Sequence, residues 1–155
     1  MKLAHPDLVV TGPDGEYLMI VEVKLNDSHV YHQSLIEQLK KLMASLGCSL
    51  GLAVSGEQIF LLRDSLEKSD GESIEVVSQA RLPDTVLPVA DEQWRGKGAI
   101  EFESRVQRWL ETLKLTSNLE NLPSDLRKIF QEPIISLLRV GEIRAAGPRW
   151  SRVAN

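Results

Sequence analysis

The sequence predicts an α/β (α+β) fold in which a mixed β-sheet is flanked by helices. Three features point there. Apolar, β-prone runs come in two pairs, residues 8–10 with 17–25 and residues 50–54 with 58–62, and turn residues split each pair. One helical pattern separates the pairs, and two more follow residue 100. Strands segregated from the later helices suggest a sheet with helices packed against it.

Each element has a local reason. Leu8-Val9-Val10 and Tyr17 to Leu25 flank Gly12-Pro13-Asp14-Gly15, a strong turn signal, and read as a β-hairpin. Asn26-Asp27-Ser28 offers N-caps for a helix from Val30 to Leu46. Its apolar positions Tyr31, Leu35, Leu39, Leu42, Met43 and Leu46 recur at three and four, and Gly47 is its stop. Leu50 to Val54 and Gln58 to Leu62, joined by Ser55-Gly56-Glu57, form a second hairpin. After a polar loop, Ile74 to Val77 reads as an edge strand, and Pro83, Pro88 and the polar stretch through Gly98 read as a connector. Phe102, Val106, Trp109, Leu110 and Leu113 mark one later helix. Leu126, Ile129, Phe130, Leu137 and Leu138 mark another, interrupted at Pro133. The expected organisation is a core over 1–82, a connector over 83–99, and a helical extension with a basic tail over 100–155.

Composition narrows the class. The chain has 155 residues, 43% hydrophobic and 26% charged, enough to bury a core without staples. Cys48 is the single cysteine, so no intramolecular disulfide is possible, and it reads as a small packing residue. No signal-peptide core and no membrane-spanning apolar run is visible, which predicts a cytoplasmic protein with no membrane partner. A net charge of −4 gives no global attraction to nucleic acid. Arg139, Arg144, Arg149 and Arg152 form a local basic stretch that reads first as a solvated tail.

The chemistry gathers on the second strand. Tyr17, Met19, Val21, Val23 and Leu25 alternate with Leu18, Ile20, Glu22 and Lys24, so both faces are apolar until Glu22 and Lys24. Such a strand is central and buried, and charges at its end must be paired or bind something. A tight turn at Gly12–Gly15 sets Asp7 opposite Ile20 and makes Glu22 its diagonal neighbour on the same face, about 7–8 Å away. Two carboxylates at that spacing can converge on one divalent cation, with the Val23 carbonyl as a further ligand. Oxygen donors with retained water suit Mg²⁺ or Mn²⁺. Lys24, on the same face, can orient a water or stabilise a pentavalent phosphate. The plainer alternative is an edge-of-sheet ion pair of Glu22 with Lys24, and a turn capped by Asp7.

Pro6-Asp7 followed by Glu22-Val23-Lys24 on the next strand resembles the signature of the PD-(D/E)xK nuclease superfamily, and the resemblance covers residues 4–63. It implies a restriction-endonuclease-like fold and a metal-dependent endonuclease that hydrolyses DNA, with Asp7, Glu22 and Lys24 as catalytic residues. The chain looks most like the nuclease domains of type I restriction motor subunits, which place a glutamine on the helix after the strand. Gln38 matches that glutamine, because it lies at the edge of the Leu35, Leu39 and Leu42 face, whereas Gln33 lies on the opposite side. The tyrosine that often follows four residues later in those enzymes is Leu42 here.

The family core begins with a helix and a strand ahead of the aspartate, and that helix often carries a further acid. Five residues precede Pro6, so both elements are expected to be lacking, and the acid has no counterpart. Three readings stay open: a truncated or alternatively started product; a homodimer that completes the sheet through an exposed edge; or a catalytically inactive nuclease-fold module for binding or assembly. His5, His29 and His32 lack the cysteine or acidic partners of a zinc set and read as packing or solvated groups, although His5 shares a strand face with Asp7. Trp109 fits a helix core, and Trp150, beside Arg149 and Arg152, is the tryptophan placed to stack on bases.

Overall fold

Turn chemistry sets the first hairpin. The Gly15 N–H donates to the Gly12 carbonyl at 3.0 Å, and the Gly12 N–H donates to the Glu16 carbonyl at 2.8 Å. Pro13, Asp14 and Gly15 therefore form a three-residue loop, and Gly15 takes the left-handed conformation (φ +82°) that such a loop requires. This hairpin joins β1 (Leu8–Thr11) to β2 (Tyr17–Lys24). The computed structural model describes residues 5–25, 29–68, 71–86, 98–116 and 119–146, except the side chains of residues 29, 30, 98 and 99. Trp94, Trp150, Arg149 and Arg152 lie outside the described residues.

After the hairpin come α1 (His29–Leu46), β3 (Leu50–Ser55), β4 (Gln58–Asp64) and β5 (Ile74–Arg81), then α2 (Gly98–Leu115), α3 (Ser124–Ile129), α4 (Ile134–Val140) and β6 (Glu142–Ala145). Among the described residues the strands form one six-stranded mixed sheet, ordered β5-β4-β3-β2-β1-β6. Only the β2–β3 pair is parallel, as expected of strands joined through a crossover helix, here α1. Pro133 separates α3 from α4, as the sequence predicts.

The alternation along the strands sorts side chains onto two cores. Leu8, Val10, Met19, Val21, Val23, Leu52 and Val54 face α2, α3 and α4. There Trp109 packs edge-on against Phe130, their ring centroids 5.4 Å apart. Val9, Ile20, Ala53, Phe60 and Leu62 face Leu35, Leu39, Leu42 and Met43 of α1. Cys48 is buried in that second core, and burial pushes its thiol up. His32 packs edge-on against Phe60, so it is a packing histidine. Gly51 lets α1 lie close: a Cβ there would meet the Met43 sulfur at 2.8 Å. Tyr31, expected on the apolar face of α1, is instead 53% exposed.

Two further expectations are corrected. The edge of β1 is not open, because β6 pairs with it antiparallel, Leu8 to Ala145 through Thr11 to Glu142. The reason for completing the sheet with a second copy falls away. Nor is the segment after residue 100 an appendage, since α2 and α4 fill the core beneath β1 and β2 and lead into β6. Arg144, read as part of a tail, lies in this strand.

Candidate functional site

A β-bulge decides which groups meet. Val10 faces Met19 but Thr11 faces Tyr17, so Leu18 is the extra residue. The three-residue loop and the bulge each shift the pairing by one beyond the tighter turn expected from sequence. Leu8 then faces Val21, and one step further Asp7 faces Glu22 directly, not Ile20. Two single shifts restore the original parity, so Asp7 and Glu22 still share a face.

Hydrogen bonds lock the pair. The Asp7 N–H donates to Glu22 Oε1 at 2.9 Å. The Val23 N–H donates to Asp7 Oδ2 at 2.8 Å. Each carboxylate is thus held by the other's strand, and Asp7 does not cap the turn. Gln38 reaches down from α1, and its Nε2 donates to Glu22 Oε2 at 2.8 Å. The helical wheel therefore selects the glutamine that meets the site. Lys24 continues the same face of β2 and is exposed at its end. The Gly56 N–H donates to the Lys24 carbonyl at 2.9 Å, which ties the second hairpin to this corner of the sheet. His5 is exposed just ahead of Pro6.

The electrostatics are one-sided. Asp7 is 9% exposed, Glu22 1% and Glu103 5%, and no lysine or arginine among the described residues is buried. Burial first, then the charge of Asp7, push the Glu22 carboxyl up to about 8. The Asp7 N–H and the charge of Lys24 pull the other way. Glu103, on α2, adds to the upward push.

Sequence reasoning missed Glu103. It stands seven residues before Leu110, on the border of the stripe formed by Phe102, Val106 and Trp109. A charge there was the available signal. It could not be tied to Glu22 without knowing that α2 packs against β2.

No protein-family model, curated protein or solved structure matches this chain.

What the site can hold follows from its donors. They are hard oxygens of one charge sign, which suit a hard divalent cation better than a soft one. No set of three or more His, Cys, Asp and Glu side chains forms a ready metal cage among the described residues. The pair fits an ion that keeps much of its water, as Mg²⁺ does. Among the described residues no helix is long and apolar enough to cross a membrane.

Proposed function

We propose that this chain is a divalent-cation-dependent phosphodiesterase of the PD-(D/E)xK type that acts on DNA. The observation that carries the reading is the Asp7–Glu22 pair, fixed face to face by reciprocal hydrogen bonds. Backbone-anchored carboxylates lose little freedom on binding a cation, and Glu22 at 1% exposure needs a proton or a cation to offset its charge. When bound, Mg²⁺ or Mn²⁺ supplies a more acidic water and neutralises charge growing on the phosphate.

The chain's own residues would do the rest. Asp7 and Glu22 hold the cation, with the Val23 carbonyl beside them. Gln38 fixes the rotamer of Glu22 through Oε2. Lys24 places a positive charge at the open end of the pair, where the scissile phosphate or attacking water would lie. Glu103, buried on α2, adds to the upward push on the Glu22 carboxyl.

The topology supports the same reading. On this reading, β6 takes the outer edge of β1 that a preceding strand would otherwise pair with. α2, packed against β2, carries a buried acid, Glu103.

The acidic net charge of −4 favours a second reading, a non-catalytic binding or assembly module that keeps the fold. Two measurements separate them. Plasmid and oligonucleotide DNA are incubated with Mg²⁺ or Mn²⁺ and either wild type or Asp7→Ala. Nuclease activity is expected only from wild type, and equal cutting by both removes this site from consideration. Calorimetric titration with Mn²⁺ should show binding that Glu22→Gln loses, and a wild type that takes up no Mn²⁺ favours the binding module.

A further inference from the structure

Tyr31 is exposed at the side of a hollow. A groove of about 380 Å³ runs between the end of β2 and α1, lined by Lys24, Leu25, Tyr31, Ser34, Leu35 and Gln38. A second hollow of about 500 Å³ continues along α1 past Ser34 and Gln38 to Lys41 and Ser45. Both volumes are in the range that takes a ligand of nucleotide size, roughly 300–1,000 Å³. Lys24 and Gln38 line the groove and also belong to the carboxylate site, Gln38 through its bond to Glu22. The groove therefore adjoins the carboxylate pair, and a nucleotide next to a phosphodiester held at Asp7 and Glu22 could enter it beside Tyr31.

We propose that this groove is a base-binding subsite for single-stranded or unpaired nucleic acid, in which Tyr31 stacks on the base next to the scissile phosphate. The inference rests on the nuclease reading and adds its substrate class. Leu25 and Leu35 offer apolar flanks for a base, and Ser34 and Gln38 offer polar edges. Aromatic stacking of this kind tolerates any base, because every base has a π-face. A base inside a duplex has both faces covered, so it cannot use Tyr31 without leaving the stack.

The charge pattern points the same way. Among the described residues lining the two hollows, Lys24 and Lys41 are the cations, and Glu37 opposes them. Duplex binding through many phosphate contacts needs a broader basic face, and the chain carries a net charge of −4. A short single strand, held by one stacked base and a few phosphates, suits these residues.

The test measures binding of a fluorescein-labelled oligothymidylate and of a blunt duplex of the same length, in Ca²⁺, by fluorescence anisotropy. Wild type is compared with Tyr31→Ala and Tyr31→Phe, which leave the core intact because Tyr31 is exposed. The single strand should bind more tightly than the duplex. Tyr31→Ala should weaken single-strand binding roughly 5- to 150-fold, and Tyr31→Phe should retain it. Equal affinity of Tyr31→Ala and wild type, preference for the duplex, or no binding to either probe overturns the proposal. Cutting by wild type and Asp7→Ala is followed in parallel. Asp7-dependent cutting without any effect of Tyr31 sinks the groove alone. Tyr31-dependent binding without Asp7-dependent cutting sinks the nuclease reading and leaves a single-strand binding site.

Discussion

Replacing Glu22 with glutamine should stabilise the metal-free protein at alkaline pH while abolishing metal-dependent cutting. Burial, followed by the charge of Asp7, raises the Glu22 carboxyl from 4.5 to about 8. At about 1.4 kcal/mol per unit, holding Glu22 ionised inside the fold costs up to about 5 kcal/mol. The sign follows from proton counts. Between roughly pH 4.5 and pH 8 the folded protein keeps a proton that the unfolded chain has released. Stability therefore falls as pH rises through that window and levels off above it. Glutamine carries no charge to bury, and its amide oxygen can still accept from the Asp7 N–H. Its NH₂ group faces Gln38, whose own amide can turn to present oxygen. Urea unfolding of both proteins from about pH 5 to about pH 9 gives the comparison. Wild type should lose a few kcal/mol across the range, and Glu22→Gln should stay level and be the more stable protein at the alkaline end. Added Mg²⁺ or Mn²⁺ should offset the wild-type loss, because a cation replaces the proton, and should leave Glu22→Gln unmoved. A flat wild-type profile, together with a Glu22→Gln protein weaker at about pH 9, would show that burial does not penalise the Glu22 charge.

Other substitutions probe the neighbours of this carboxylate. Gln38→Leu removes the donor to Glu22 Oε2 and should lower Mn²⁺ affinity or cutting rate roughly 10- to 100-fold with little change in fold, as read by calorimetry and circular dichroism. An unchanged affinity would limit Gln38 to lining the groove. Glu103→Gln removes a charge that opposes ionisation of Glu22, so the wild-type stability loss should move to lower pH. A profile that stays in place would show that this charge does not reach Glu22. Gly51→Val forces side-chain atoms towards Met43 and Leu39 beneath α1 and should cost about 1–3 kcal/mol in urea unfolding. A neutral result would mean that α1 does not need its close seat on β3.

Local order was legible because it repeats over a few residues. The period of two along Tyr17–Lys24 assigned Glu22 to one face, and the period near 3.6 along α1 selected Gln38 and buried Leu35 and Leu39. The register was harder to read. The three-residue loop and the bulge at Leu18 move Asp7 from Ile20 to Glu22. The face survived because the two shifts together keep the strand's parity. Tyr31 shows the limit of a helical wheel: apolar spacing put it on the stripe, yet it is 53% exposed and borders a groove.

The two hairpins, the helix between them, the break at Pro133 and the shared face of Asp7 and Glu22 can be read from the chain alone. The pairing of β6 with β1, the place of α2 in the core and the burial of Glu103 emerge only from contacts between distant segments. The difference is one of range. Periodicity and turn chemistry act between near neighbours. The bond from the Thr11 hydroxyl to the Glu142 carbonyl joins residues 131 positions apart, and a four-residue strand with one buried apolar side chain, Ile143, carries too little pattern to announce its partner.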